Sequence, residues 1–201
     1  MDSVVGIILA AGASTRMGRP KQLLKIKDEY LLDHILKAAI NSRLDSVLLV
    51  LGYLSEEIKA PLKIDLENPK LKIIKNNNWK TGISSSIIAG LRKVEKEYDH
   101  CMIILADMPN VTSDLINRLL SEYLASGMDL GAIKIGNRRS LPVILGRNYY
   151  PEIYKLKGDI GARNVFKKYS DQICFVNAGT DYKDIDIDSP NDYENYTNNH
   201  K

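Results

Sequence analysis

The chain has 201 residues, a length that suits one α/β domain with a hydrophobic core of its own. Its hydrophobic fraction of 44% and charged fraction of 26% are ordinary for a globular protein. The formal net charge of +3 is too small to indicate nucleic-acid binding, and the sequence contains no basic stripe with interleaved aromatic residues.

The cysteines and the N-terminal residues indicate the cellular compartment in which the protein is expected. Cys101 and Cys174 each lie in an apolar run, so we expect free thiols of a reducing compartment and neither a disulfide nor a metal pair. The first apolar stretch is about seven residues long and lacks a preceding basic segment, which is too short for a signal peptide or a membrane span. These features predict a cytoplasmic protein whose partners include no membrane and no nucleic acid.

Apolar runs and amphipathic stripes alternate along the chain. Strands are predicted at 4–10, 47–51, 71–74 and 101–106, and helical stripes occupy 31–40, 87–94 and 115–123. This alternation predicts a mostly parallel sheet covered on both faces. Two later runs, 130–135 and 141–145, are joined by a polar turn at 136–139 and predict a hairpin-like excursion. We expect a single domain over residues 1–195, followed by a frayed polar tail at 196–201.

Small residues and positive charges follow the first predicted strand. The stretch LAAGASTRMGRPKQLL (9–24) places Arg16, Arg19 and Lys21 within six positions of one another. Gly12 and Gly18 permit turns and allow backbone N–H groups to approach a ligand closely. Cations beside exposed N–H groups predict a site for a polyphosphate, although a surface turn with incidental basic residues is the alternative.

Two common phosphate-binding motifs do not fit this stretch. A Walker loop needs four residues between its glycines and then Lys-Ser/Thr, whereas five residues separate Gly12 from Gly18 and Pro20 precedes Lys21. A dinucleotide fingerprint needs Gly-x-Gly-x-x-Gly, which this stretch does not supply. A phosphate site in this loop would therefore belong to another class.

Two acidic segments are candidates for metal binding. Asp107 follows the fourth predicted strand, where ligands bind in open parallel sheets and where a carboxylate suits Mg²⁺. A role as helix N-cap is the alternative for Asp107, but Thr112 lies closer to the next apolar stripe. The run 184–192 contains Asp186 and Asp188 just before Ser189-Pro190, which predicts a helix start. Without further information this run also fits an acidic surface turn.

Two further segments precede helical stripes. Residues 77–87 read NNWKTGISSSI, and such a glycine- and serine-rich helix start can donate backbone N–H groups to a phosphate. Serines that only cap the helix are the alternative. Residues 156–163 read LKGDIGAR, which by itself is a Gly-Asp turn into a helix with one arginine.

These motifs together resemble those of the nucleotidyltransferases of the molybdopterin-nucleotide type. The loop is similar to that family's L-A-[AG]-G-x-S-x-R-M-G-x-x-K signature, and Ala10-Ala11 resembles its cytidylyl branch. The other segments resemble its L-x-D-[MQ]-P, N-x-x-W-x-x-G-x-x-x-S, L-x-G-D-x-G-A-R and D-[IV]-D-T-P-E-D boxes. One departure concerns the acceptor side, because relatives often carry His-Pro where this chain has Leu141-Pro142. The resemblance otherwise spans nearly the whole chain.

The resemblance implies a fold and a set of site residues. The fold is a single-domain, Rossmann-like, three-layer α/β fold with a mostly parallel mixed sheet, of the glycosyltransferase-A-like kind. Catalytic roles are implied for Arg16, Lys21 and Asp107, and Mg²⁺ binding for Asp107 and Asp188, with Asp186 the weaker candidate. Nucleotide binding is implied for Leu9, Ala10, Ala11, Gly12, Arg16, Lys21, Gly82 and Ser86. Acceptor binding is implied for Gly158, Asp159, Gly161 and Arg163.

The implied reaction is transfer of CMP from CTP to the phosphate of molybdopterin, with Mg²⁺ as cofactor and release of pyrophosphate. Expected partners are CTP or another nucleoside triphosphate, a phosphorylated pterin acceptor and a molybdenum hydroxylase client. The alternatives are transfer to another phosphorylated acceptor such as a sugar phosphate, GTP-dependent guanylyl transfer, and a non-catalytic accessory protein that handles molybdenum cofactor.

Overall fold

Strands of the central sheet carry the loops that form the site. The structure, a computed structural model, describes residues 2–180 and 182–199. Its strands are β1 (Val4–Ala10), β2 (Lys25–Ile26), β3 (Glu29–Tyr30), β4 (Ser46–Leu51), β5 (Leu71–Lys75), β6 (His100–Leu105), β7 (Leu130–Ile135), β8 (Arg138–Gly146) and β9 (Ile173–Asn177). β2 and β3 form a separate antiparallel pair.

The sheet is mixed and mostly parallel, as predicted. Its strand order is β5-β4-β1-β6-β8-β7-β9. β8 runs antiparallel to both of its neighbours, β6 and β7, whereas the other pairings are parallel. The carboxyl ends of β1, β4 and β6 therefore meet at one edge, where ligands bind in folds of this kind.

Helices cover both faces of the sheet. They are α1 (Leu31–Ile40), α2 (Ser55–Lys59), α3 (Ile83–Val94), α4 (Ser113–Ser126), α5 (Tyr150–Tyr154), α6 (Arg163–Lys168) and α7 (Pro190–Asn198). Buried side chains of α1, α4 and α7 share one core cluster, and those of α3, α5 and α6 share the other. This confirms the predicted three-layer arrangement. Within the described residues, no helix is long and apolar enough to cross a membrane.

The sequence of β1 contains no charged residue because both faces of this strand are buried. Successive strand residues point to opposite faces, so Val5, Ile7 and Leu9 enter one core cluster while Val4 and Ile8 enter the other. All seven residues of β1 are buried. A strand covered on both faces can hold a charge only at high cost, which accounts for its continuous apolar run.

The predicted turn at 136–139 is shorter than expected. Arg138 and Arg139 already pair with Ile135 and Lys134, so that only residues 136–137 connect β7 to β8. The paired arginines place their side chains on a strand of the sheet and not in a loose loop.

The expected frayed tail from residue 196 is wrong for its first three positions. Helix α7 continues through Asn198, and Tyr196 is only 7% exposed. The predicted start of this helix at Ser189-Pro190 is confirmed, because Ser189 and Asp192 form a reciprocal capping box. Asn199 is the C-cap of this helix, and residues 200–201 of the predicted tail lie outside the described residues.

Both cysteines are free thiols, as expected. Cys101 is fully buried, whereas Cys174 is half-buried rather than buried.

Candidate active site

A cavity of about 540 Å³ opens at the carboxyl ends of β1 and β6. These strands pair in parallel, so the loops that follow Ala10 and Leu105 lie side by side. Apart from Asp186, the weaker metal candidate, every residue predicted to bind the nucleotide or metal lines this cavity: Leu9, Ala10, Ala11, Gly12, Arg16, Lys21, Gly82, Ser86, Asp107 and Asp188. The fold brings them together from segments far apart in sequence, and their binding roles stay predictions.

Gln22, which the sequence did not single out, holds the loop after β1. Its side chain is 1% exposed, and its Nε2 donates hydrogen bonds to the carbonyl oxygens of Ala10 at 2.8 Å and Gly12 at 3.2 Å. In a trans peptide the following N–H points the opposite way, so these bonds turn the N–H groups of Ala11 and Ala13 away from Gln22. Within the described residues, the N–H groups of Gly12 and Ala13 have no protein acceptor. They are free to bind an anion.

The loop turns at one of the two predicted glycines, Gly18, and at Ser14 in place of Gly12. The left-handed residues are Ser14, with φ of 53°, and Gly18, with φ of 68°. No positive φ occurs at Gly12, and a Cβ there would meet no atom within 4 Å. Gly12 therefore leaves open space in the cavity, whereas Ser14 makes the turn and accepts a hydrogen bond from the N–H of Lys21 at 3.1 Å.

Two of the three predicted cations reach the cavity. Arg16 Nη2 lies 2.9 Å from Asp188 Oδ2, and Lys21 Nζ lies 3.0 Å from Asp188 Oδ1. Lys21 Nζ also pairs with Asp107 Oδ2. Arg19 instead lies over the ring of Tyr193, with its guanidinium carbon 5.8 Å from the ring centroid. The expected contribution of Arg19 to the anion site is therefore not supported.

Asp107 and Asp188 both reach Lys21 because a backbone hydrogen bond joins their two segments. The N–H of Ile187 donates to the carbonyl oxygen of Asp107 at 3.0 Å, which places 186–188 beside the end of β6. Asp188 faces Lys21, whereas Asp186 lines a neighbouring cavity. The alternative role of Asp107 as a helix cap is excluded, because Thr112 caps α4.

The charges in this cluster shift one another's pKa values. Burial alone would lower the pKa of Lys21, but the charge of Asp107 and the hydrogen bonds to Asp107 and Asp188 outweigh it and raise that pKa above its ordinary 10.5. Desolvation opposes ionisation of Asp188, but its contacts with Lys21 and Arg16 lower its pKa. Desolvation, reinforced by the charges of Asp107 and Asp188, raises the pKa of Asp186 to about 6.

The donor set suits a hard divalent cation. Asp107 Oδ1 is buried and has no hydrogen-bond partner, so one carboxylate oxygen remains free to act as a ligand. Among the described residues, no group of three or more His, Cys, Asp or Glu side chains is arranged to hold a metal. An ion here would therefore rest on two carboxylates and on oxygens of its ligand, as Mg²⁺ commonly does with phosphates.

The start of α3 does not offer its N–H groups in the way predicted. The N–H of Ile83 donates to Asp159 Oδ1 at 3.3 Å, and the N–H of Ser84 donates to the carbonyl oxygen of Gly158 at 3.1 Å. Gly82 has φ of 102°, and a Cβ there would lie 2.2 Å from the carbonyl carbon of Gly158. Gly82 thus joins the predicted nucleotide and acceptor segments by close backbone packing.

Two of the serines at the start of α3, Ser85 and Ser86, are held in place by a buried amide, and the nucleotide-binding role of Ser86 stays a prediction. Asn76, another buried residue that the sequence did not single out, donates through Nδ2 to Ser85 Oγ at 2.9 Å and Ser86 Oγ at 3.0 Å. Asn76 is the first of three consecutive asparagines and falls on the Asn of the N-x-x-W box. The motif alone does not show its hydrogen-bond partners, which lie nine and ten residues further along the chain.

A second cavity of about 520 Å³ adjoins the first and shares Leu9, Ile83, Leu105 and Asp159 with it. Three of the four predicted acceptor residues line it, namely Asp159, Gly161 and Arg163, whereas Gly158 packs against Gly82. A larger cavity of about 810 Å³ lies between β2 and α4, but none of the predicted site residues lines it.

Comparisons with known proteins agree with this geometry. The family model described as MobA-like NTP transferase domain matches residues 6–173. The purine catabolism protein PucB of Bacillus subtilis is 33% identical over 95% of this chain and 94% of its own length. Molybdenum cofactor cytidylyltransferase of Escherichia coli is 31% identical over 60% of each chain. The solved structure of Rv0371c from Mycobacterium tuberculosis in complex with manganese has a TM-score of 0.80 at 21% identity and covers 98% of both chains. The chain thus belongs to the MobA-like NTP transferase family, whose members are nucleotidyltransferases.

Proposed function

We propose that this protein transfers CMP from CTP to the phosphate of molybdopterin in a reaction that depends on Mg²⁺ and releases pyrophosphate. One observation carries the proposal: Lys21 Nζ lies between Asp107 and Asp188, beside a loop with free N–H groups at Gly12 and Ala13. Cations, carboxylates and N–H donors in one cavity suit a nucleoside triphosphate with its metal ion.

The reaction needs alignment and charge neutralisation more than acid–base chemistry. An acceptor phosphate carries a charge of about −1.5 to −2 at neutral pH, so its oxygen can attack the α-phosphorus without losing a proton to the protein. A phosphorus–oxygen bond forms to the acceptor, the bond between the α-phosphorus and its bridging oxygen breaks, and pyrophosphate leaves. Among the described residues that line the nucleotide cavity there is no histidine or cysteine.

The residues of the cavity have separate tasks. Arg16 and Lys21 contact the β- and γ-phosphates and stabilise the charge that develops on pyrophosphate. The free N–H groups of Gly12 and Ala13 orient the triphosphate, and Gln22 fixes the direction of the Ala13 N–H through its hydrogen bond to the carbonyl oxygen of Gly12. Asp107 and Asp188 hold the Mg²⁺ ion, which neutralises phosphate charge when bound. The manganese complex of the Mycobacterium relative supports a divalent ion in this fold.

Support for CTP over GTP comes from the E. coli cytidylyltransferase and from the double alanine before Gly12. The structure bears on how Ala11 would influence the choice between CTP and GTP. Ala11 is 4% exposed, and its methyl group packs near Gly52, where a Cβ would lie 2.9 Å from it. Ala11 therefore acts on the base mainly by setting the position of the loop and not as a direct steric barrier.

The test is a pyrophosphate-release assay. CTP, GTP, ATP and UTP are each combined with molybdopterin, glucose 1-phosphate or no acceptor, with Mg²⁺ or with EDTA. We expect release only with CTP, molybdopterin and Mg²⁺, at one pyrophosphate per acceptor consumed. Release with GTP would replace cytidylyl by guanylyl transfer, and release with the sugar phosphate would replace the acceptor. Binding of molybdopterin without release under any condition would indicate an accessory protein, and would contradict the proposal. In the enzymatic case, a molybdenum hydroxylase client would receive the product.

A further inference from the structure

The second cavity combines an apolar floor with three arginines. Its apolar lining can hold a flat ring system and consists of Ile87, Ile103, Leu141, Val143 and Phe166. Arg138, Arg139 and Arg163 line its rim. The cavity therefore has both an apolar surface and concentrated positive charge, which is unusual for a surface that binds no ligand.

One of the three arginines is neutralised within the protein. Arg138 pairs with Asp184 through both guanidinium nitrogens, with Nη1 at 2.8 Å from Oδ2, and Ser140 Oγ donates to the same carboxylate at 2.7 Å. Among residues 2–180 and 182–199, no carboxylate oxygen lies within 4 Å of the guanidinium of Arg139 or Arg163. Two positive charges on the rim thus lack an acidic partner in the part of the chain that is described.

The side chain of Arg139 is held against the backbone of Arg163. Arg139 Nη2 donates to the backbone carbonyl oxygen of Arg163 at 3.3 Å, and its guanidinium carbon lies 5.3 Å from the ring centroid of Phe166. Burial, with a smaller effect from the charge of Arg163, lowers the pKa of Arg139 below its ordinary value. Both effects disfavour the positive charge of Arg139 in the absence of a ligand. An anion bound by both guanidinium groups would offset that cost and accept hydrogen bonds from N–H donors that have no acidic partner among the described residues.

Arg139 lies at the same edge of the sheet as Lys21 and Asp107. β8 runs antiparallel to β6, with Val143 opposite Ile103. Arg139 lies four residues before Val143, and Asp107 lies four residues after Ile103, so both stand beyond the same end of the paired region. Arg139 is therefore at the sheet edge that holds Lys21 and Asp107, but in the adjoining cavity and not in the one that contains the glycine loop.

We propose that Arg139 and Arg163 form an anion-binding subsite that selects acceptors with two anionic groups: the phosphate that attacks the nucleotide, and a second anion at the other end of a flat apolar body. This inference rests on the proposed function, because it takes the second cavity as the acceptor cavity. Acids also face this cavity, but Asp184 is paired with Arg138 and Asp159 accepts the N–H of Ile83. Asp186, on the side of Lys21, is the remaining acid among its described lining residues.

The test uses binding of small probes, so it does not depend on turnover. The probes are phenyl phosphate, 4-carboxyphenyl phosphate and the longer 4′-carboxybiphenyl-4-yl phosphate, measured by isothermal titration calorimetry with the full chain. In the wild type, we expect at least one carboxylated probe to bind tenfold or more tightly than phenyl phosphate. Arg139→Gln and Arg163→Gln should each remove most of that gain, and Arg139→Lys should retain part of it.

Controls separate the subsite from general effects. Arg147→Gln changes an exposed arginine that contacts Asp99 and the carbonyl oxygen of Tyr98 outside this cavity, and should leave the gain unchanged. The midpoint of thermal unfolding identifies any variant that fails to fold, in which case Arg163→Gln, at an exposed position, decides the question. Equal affinity of the wild type for all three probes, or an undiminished gain in a folded Arg139→Gln or Arg163→Gln variant, would overturn the inference. Neither result would affect a positive pyrophosphate-release assay.

Discussion

Replacing Gln22 by Met should weaken nucleotide binding while leaving the fold intact. Met has nearly the same length as Gln but cannot donate to the carbonyl oxygens of Ala10 and Gly12. Without these bonds the loop after β1 loses the constraint that fixes the direction of the N–H groups of Ala11 and Ala13.

The effect on stability should be small because two costs oppose each other. The substitution leaves the buried carbonyl oxygen of Ala10 without its Gln22 donor, which costs about 1–3 kcal/mol. It also removes the Gln22 Oε1 atom, which is buried without a partner and carries a penalty of about the same size. The free energy of unfolding should therefore change by about 1 kcal/mol or less.

The effect on binding should be larger. Ordering a backbone residue costs about 1–2 kcal/mol, so a ligand that must order two loop residues loses about 2–4 kcal/mol of binding free energy. That corresponds to a rise in Kd of about 30-fold or more. Gln22→Met is thus expected to separate binding from stability, which a residue with a purely structural role would not do.

The assay is calorimetric binding of a CTP analogue with a methylene group between its α- and β-phosphates, alongside thermal unfolding. Gln172→Met is the matched control, because Gln172 is exposed and contacts Tyr149 outside the nucleotide cavity. Wild-type affinity in Gln22→Met would refute the reasoning. A loss of affinity that only follows a large loss of stability would refute it as well.

Four further predictions concern the same cluster. Lys21→Ala should lower kcat by about 10²- to 10³-fold, as does the loss of other oriented groups that stabilise a transition state. The control Lys96→Ala, at an exposed position, should keep wild-type turnover. Turnover at saturating CTP measures both variants, and normal turnover in Lys21→Ala would exclude a catalytic role for Lys21. Asp107→Asn should abolish turnover that depends on Mg²⁺ and keep the unfolding midpoint within a few degrees, and unfolding with unchanged activity per folded molecule would make Asp107 structural. Ala11→Gly should reduce the ratio of kcat/KM for CTP over GTP by less than about tenfold, because one methyl group discriminates by about 1–3 kcal/mol at most and this one is buried. The pKa of Asp186 is raised to about 6 from 3.8 on folding, so without metal the native state binds more protons than the unfolded state between these pH values. The free energy of unfolding therefore falls as the pH rises from about 4 to 6. Denaturant unfolding of Asp186→Asn across pH 4 to 7 should show a weaker fall, and a pH profile identical to that of the wild type would contradict this assignment.

The sequence by itself determined the elements whose signals are local. The unbroken apolar run at Val4–Ala10 indicated a strand buried on both faces, and the structure has β1 at those residues. Thr112 and Ser189 each precede an apolar stripe or a proline, and each caps the helix that follows. Such signals lie within a few residues of the element they specify, because helix and strand periodicity and capping depend on near neighbours.

Only the tertiary structure decided which charges face the cavity. Arg16 and Arg19 are three residues apart in one loop, yet Arg16 meets Asp188 and Arg19 lies over Tyr193. Asp186 and Asp188 are similarly close in sequence, but they line different cavities. The partners that decide these orientations lie more than 150 residues away from the loop in sequence, so no local pattern encodes them.

The same reason explains the residues that the sequence did not reveal. Gln22 acts by bonding to backbone groups that are brought beside it when the chain packs, and a single amide residue has no periodicity that marks it. Asn76 falls on the Asn of a motif, but its hydroxyl partners are likewise decided by the packing of the chain. The structure identifies Arg139 as a candidate because the pairing of β8 with β6 places its guanidinium against the backbone of Arg163. Neither arginine has an acidic partner among the described residues. Buried polar groups and charges must find their partners in three dimensions, since leaving them unpaired is costly, and only the packed chain shows which partners they have.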